Sequence, residues 1–176
     1  MKATGVVRRI DELGRIVIPK EIRKNLRINE GENIEIYINE KENIVLKKHS
    51  LVKEIGDFAQ KLTDSVYSLF KRDILITDTD YVVAATGDIK REIVNTTISD
   101  DLLNIIKNRV IVVSKCGKLK INEQKVYDCS YVASPIICQG DSIGVVIIIL
   151  QNEEINEIDE KIAQMSSYFL SKYLED

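Results

Sequence analysis

Five cationic side chains near the amino end, Arg8, Arg9, Arg15, Arg23 and Lys24, are the residues whose type and spacing could do chemistry. A guanidinium presents a planar fork of donors that matches phosphate oxygens and the O6/N7 edge of guanine in bidentate fashion, whereas an ammonium is a point charge suited to phosphate alone. These five sit in a local excess: residues 1–27 hold eight Lys or Arg against three Asp or Glu, a formal +5. The whole chain of 176 residues totals −3, so the remainder carries −8. Such asymmetry points to a basic module that attracts polyanions, attached to an acidic or neutral one.

The elements that must position these cations read as strands. "GVVRRI", "RIVI", "NIEIYI" and "NIVLKK" alternate with period two and are separated by "DELG", by a short helix from Pro19 to Leu26, and by "NEKE". Arg8 and Arg9 alternate out of the first strand, and Arg15 opens the second directly after the Gly14 turn. Arg23 and Lys24 occupy the outer side of a helix whose underside is Ile22 and Leu26. Pro19 suits the first turn, where its missing N–H has no intrahelical partner to lose. A hairpin is expected to gather the cations. Four strands in about 45 residues bury too little apolar surface for independent stability, so a homodimer that pools strand faces is expected.

From Leu51 to Phe70 the period lengthens to about 3.6, with Leu51, Ile55, Phe58, Leu62, Val66 and Leu69 on one stripe of a single connecting helix. Beyond it come a hairpin in "DILITDTDYVVAAT", helical sequence around "KREIVNTTISDDLLNIIKNR" with Ser99 as N-cap, and strands in "VIVVSK", "SYVASPIICQG" and "SIGVVIIIL", with "QGD" as a hairpin turn. A last helix, Glu153 to Leu174, carries Ile155, Ile158, Ile162, Phe169 and Tyr173 on one side. This order predicts an α+β domain on a largely antiparallel sheet. The expected division is 1–50, 51–70 and 71–176.

Little here supports catalysis. The chain has no Gly-rich phosphate loop and no Gly-x-Ser-x-Gly elbow, and its sole histidine is His49. Asp78, Asp80, Asp100 and Asp101 fit turns and helix starts. No catalytic residue, cofactor or metal is expected. Cys116, Cys129 and Cys138 lack CxxC spacing and are expected to be reduced thiols in or near a core. The longest apolar run, "VVIIIL", is too short to cross a bilayer, and the amino end does not read as a secretory signal; a cytoplasmic location is expected.

"TGVVRRIDELGRIVIPKEIRKNLRINEGENIEIYI" resembles the N-terminal domain of AbrB-type transition-state regulators, over about residues 3–48. That resemblance implies a swapped-hairpin barrel in which two chains interlock and present Arg8, Arg15, Arg23 and Lys24 to double-stranded DNA, with Arg9 adjacent. Family members often carry Arg where this chain has Lys24, and Ile16 replaces the commoner Val. The second module resembles a GAF domain, a fold that often encloses a small molecule, although the cyclic-nucleotide signature is absent. The order of modules resembles that of sporulation regulators, which implies control of sporulation genes, assembly as a homodimer or homotetramer, and a C-terminal domain that either senses a small-molecule ligand or serves as an assembly block. Two alternatives share parts of the pattern: a MazE-like antitoxin, and a GAF-type methionine sulfoxide reductase that uses pocket cysteines.

Overall fold

A computed structural model describes residues 5–28, 30–87 and 89–175. The chain divides into two compact units, Met1–His49 and Ser50–Asp176. Lys2, counted in the basic excess, lies outside the described residues.

In the first unit, a turn at Asp11–Arg15 is closed by the Asp11 amide donating to the Arg15 carbonyl at 3.0 Å and the Gly14 amide donating to the Asp11 carbonyl at 3.0 Å. Gly14 has φ +75°, a left-handed conformation that costs glycine nothing. Helix α1 (Lys20–Asn25) follows Pro19, whose carbonyl accepts from the Arg23 amide at 3.0 Å. Strands β1 (Ile34–Ile38) and β2 (Ile44–Lys48) pair antiparallel, Ile36 opposite Leu46 and Ile38 opposite Ile44. Asn39 closes that hairpin, its Oδ1 accepting from the Lys41 and Asn43 amides at 3.0 Å each.

Two of the four expected strands are therefore present. The segments around Val6–Ile10 and Arg15–Ile18 form no strand ladder among the described residues. A strand needs a neighbour to satisfy its backbone, and one chain supplies these segments with none. Nor does the unit have a core: no described residue up to His49 is buried. Val7, Ile10, Leu13, Ile16 and Val17 are all more than half exposed, and so are Leu26, Ile36, Ile38 and Ile44.

The second unit is built on a five-stranded, wholly antiparallel sheet. Helix α2 (Leu51–Glu54) and helix α3 (Gly56–Phe70) precede strands β3 (Asp73–Asp78) and β4 (Val82–Ala85). Helices α4 (Lys90–Ile93) and α5 (Asp100–Asn108) come next, then β5 (Val112–Lys120), β6 (Val126–Cys138), β7 (Asp141–Leu150) and helix α6 (Glu157–Glu175). The strand order is β4-β3-β7-β6-β5. β7 is central, and Val145–Leu150 is buried throughout, as an unbroken aliphatic run requires when both faces of a sheet are covered. α3 and α6 pack on one face over Ile74, Ile76, Val132, Val146 and Ile148, while α4 and α5 cover Leu75, Ala133, Val145, Ile147 and Ile149 on the other.

The connecting segment is two helices, broken at Ile55 (φ −96°, ψ 24°). Both belong to the second unit's core, through Val52, Ala59 and Val66, with Ile55, Phe58 and Leu62 half-buried; Leu69, expected on the buried stripe, is 77% exposed. The last helix differs from expectation in the same way. Its sheet-facing side is Asp159, Ile162, Ala163, Ser166, Ser167, Leu170 and Ser171, while Ile158, Phe169 and Tyr173 are exposed. Small side chains let the helix approach the sheet closely, and the Ser134 and Ser167 hydroxyls hydrogen-bond across the seam at 2.8 Å. Phe169 and Tyr173 instead meet Phe58 of α3, with centroids at 5.8 Å and 4.3 Å, the latter pair stacked.

Candidate nucleic-acid interface

Arg8 and Arg9 lie on the exposed, irregular segment that leads into the Asp11–Arg15 turn. Arg15 closes that turn, exposed. Arg23 is half-buried and Lys24 exposed, both in the last turn of α1, where positive side chains suit the negative end of the helix dipole. In one chain the five cations thus occupy three separate stretches: an irregular lead-in, the closing residue of a turn and a short helix. Among the described residues, Arg15 is the one of the five that makes an ion pair.

That ion pair is with Asp11, counted in the sequence only as an opposing charge. One Asp11 oxygen, Oδ1, accepts from the Arg15 amide at 2.8 Å and from the Leu13 amide at 3.0 Å. The other, Oδ2, accepts from Arg15 Nε at 2.8 Å. The Arg15 amide, and then its side chain, hold the Asp11 carboxyl below its ordinary pKa, because both bonds favour the ionised form. The clue in the sequence was an Asp three residues before a turn glycine, a position where the short carboxylate bonds the backbone just ahead of it.

The base of this module is held by other polar contacts. Lys48 Nζ donates to the Arg27 carbonyl at 3.1 Å and pairs with Glu32 at 3.1 Å, tying the end of α1's turn to β2. Glu35 accepts from the Tyr37 hydroxyl and lies 2.9 Å from His49 Nδ1. These bonds, Tyr37 first, hold the Glu35 carboxyl below its ordinary pKa.

The second unit offers different material. A groove of about 590 Å³ between α6 and β6 is lined by Ile111, Pro135, Ile137, Lys161, Met165 and Tyr168, among others. Cys129 is buried, and desolvation pushes its thiol up to about 11; burial also raises Cys138, while Cys116 is exposed on β5. A redox pocket needs an accessible thiolate, which neither buried thiol supplies. No helix of the described residues is long and apolar enough to cross a membrane.

Comparison with known proteins places both units. The family described as "Stage V sporulation protein T C-terminal, transcription factor" matches residues 54–175, and the family described as "Antidote-toxin recognition MazE, bacterial antitoxin" matches residues 7–54. Stage V sporulation protein T of Bacillus subtilis is 38% identical over 177 aligned residues, covering 99% of each chain. The transition state regulatory protein AbrB of the same organism is 55% identical over 49 residues, 28% of this chain and 50% of that protein. Among solved structures, the GAF domain of Acinetobacter phosphoenolpyruvate-protein phosphotransferase superposes with a TM-score of 0.54 at 16% identity, over 73% of this chain and 84% of that one, which fixes the fold of the second unit as GAF-like. With a full-length relative at 38% identity and a family match over residues 54–175, the chain belongs to the stage V sporulation protein T family of transcription factors.

Proposed function

We propose that this protein is a cytoplasmic regulator of sporulation genes that binds double-stranded DNA as a homodimer or homotetramer, through Arg8, Arg9, Arg15, Arg23 and Lys24 of its first unit. The observation that carries this reading is a module in which no described residue is buried, rich in exposed aliphatics and in cations. Such a module folds by burying its aliphatics against a second copy, with the unpaired segments around Val6–Ile10 and Arg15–Ile18 completing their ladders across the interface. Pairing doubles the cationic surface. Arginine forks then supply both phosphate contacts and bidentate base contacts, while Lys24 serves phosphate.

In this reading residues 1–50 bind DNA and dimerise, the helical stretch 51–70 connects, and residues 71–176 sense a ligand or assemble. The sheet face under α4 and α5 is filled by side chains such as Leu75, Ile93, Leu102 and Ile147, which favours assembly over a preformed ligand cavity there. The kinship with a transcription factor family and the buried state of Cys129 and Cys138 both favour a regulator over an enzyme.

The test is a gel-shift titration of the full chain with duplex DNA across salt concentrations. If the dimer neutralises about six to ten phosphates, log K against log salt falls with a slope of about −5 to −9. Arg23→Ala binding as tightly as the parent protein would count against the assignment.

A further inference from the structure

We infer that Asp11 is a positioning residue for DNA recognition: one carboxylate oxygen locks the turn and the other aims the Arg15 guanidinium before DNA arrives. This rests on the DNA-binding reading above. The geometry divides the work of a single carboxylate. Oδ1 fixes the backbone through the Leu13 and Arg15 amides, at 3.0 and 2.8 Å, and Oδ2 takes Arg15 Nε at 2.8 Å. With Nε engaged, the plane of the guanidinium is set. Its two terminal nitrogens bond no acceptor among the described residues and stay free for a ligand.

As a stabilising element, an exposed pair of this kind contributes little, since Arg15 and Asp11 side chains are 70% and 42% exposed. As an orienting element it acts differently. A bidentate contact to a guanine edge demands a defined plane and reach, and an arginine already held in that plane loses less freedom on binding. Arg8, Arg9, Arg23 and Lys24 have no carboxylate partner among the described residues, which suits the tolerant geometry of phosphate contacts. The five cations therefore separate into one oriented reader and four backbone grips.

Electrostatics alone makes the opposite prediction. Asp11 is a negative charge beside the DNA-facing surface, so a residue that only repels phosphate would, when neutralised, let every duplex bind more tightly. The substitution Asp11→Asn keeps an oxygen that can accept from the two amides and removes the ionic hold on Nε.

The experiment uses the full chain, a duplex enriched from a random library by the wild-type protein, and a scrambled duplex of equal composition. Asp11→Asn is expected to lower the preference for the enriched duplex by about tenfold, the worth of one good bidentate contact, while affinity for the scrambled duplex holds or rises. In an Arg15→Ala background the same substitution is expected to leave the preference unchanged, because Asp11 acts only through Arg15. Equal tightening on both duplexes, equal weakening on both, or an undiminished effect without Arg15 would each overturn the positioning role. Failure to enrich any duplex, with wild type and Arg15→Ala equally inert, would instead remove the DNA-binding reading on which it rests.

Discussion

Replacing Ile38 with serine separates a solitary first unit from a paired one by orders of magnitude. Ile36, Ile38, Ile44 and Leu46 form two cross-strand pairs on one face of the β1–β2 hairpin, at 69%, 77%, 69% and 40% exposure in the single chain. If that face stayed in water, Ile38→Ser would change stability by no more than about 0.5 kcal/mol, the ordinary range for surface substitutions. If a second copy covers it, each Ile38 side chain contributes about 1.5–3 kcal/mol of apolar burial. Two-fold symmetry counts the change twice, giving a loss of about 3–6 kcal/mol per dimer. At about 1.4 kcal/mol per tenfold, the dissociation constant rises by roughly 10²–10⁴. Sedimentation velocity over a dilution series reads this directly, with duplex affinity measured on the same samples. Self-association and DNA affinity should fall together. An Ile38→Ser protein with the parent's mass at every concentration and the parent's affinity for DNA would refute the covered face.

Three further outcomes follow from particular contacts. Arg15→Ala in a dimer removes two cations, so the salt slope of DNA binding should flatten by about 2, read by fluorescence anisotropy in graded potassium chloride. Asp159 is 1% exposed and held by Arg72 Nε at 2.9 Å, with Glu153 on the same guanidinium at 2.6 Å; Arg72→Met strands a buried carboxylate and should lower stability by about 3–5 kcal/mol in urea unfolding. Burial favours the neutral Cys129 thiol up to about pH 11, so stability drawn from that site is complete below its ordinary pKa of 9.0 and fades as pH climbs through 11. Consistent with this, iodoacetamide at pH 8 should label Cys116 alone in the folded protein and all three cysteines in urea, as scored by mass spectrometry.

The sequence disclosed those parts of the fold that local chemistry decides. Ser99 caps α5 with its hydroxyl accepting from the Leu102 amide at 3.2 Å, and the turn in "QGD" places Gln139 and Gly140 at φ 50° and 86°, as a tight hairpin demands. The strand expected in "SIGVVIIIL" is present as β7. What escaped depended on distant partners. The buried side of α6 sets serines, alanine and Asp159 between Ile162 and Leu170 because β6 lies close beneath it, and no count of large aliphatics along the helix reveals that distance. The partner of Asp159 is 87 residues away in sequence. At the site, charge excess and alternation exposed the five cations, and the resemblance gave them a role. The Asp11 contact lay in plain view at i, i+4 but was masked by treating acids only as opposing charge.

The most direct measurement of the central claim is the mass of the protein–DNA complex, by sedimentation equilibrium of the full chain with a short fluorescent duplex at low and high salt. Two or four chains per duplex at low salt, released as salt rises and lost in Arg15→Ala/Arg23→Ala, is the predicted result. One chain per duplex, or no complex at any ionic strength, would contradict the account.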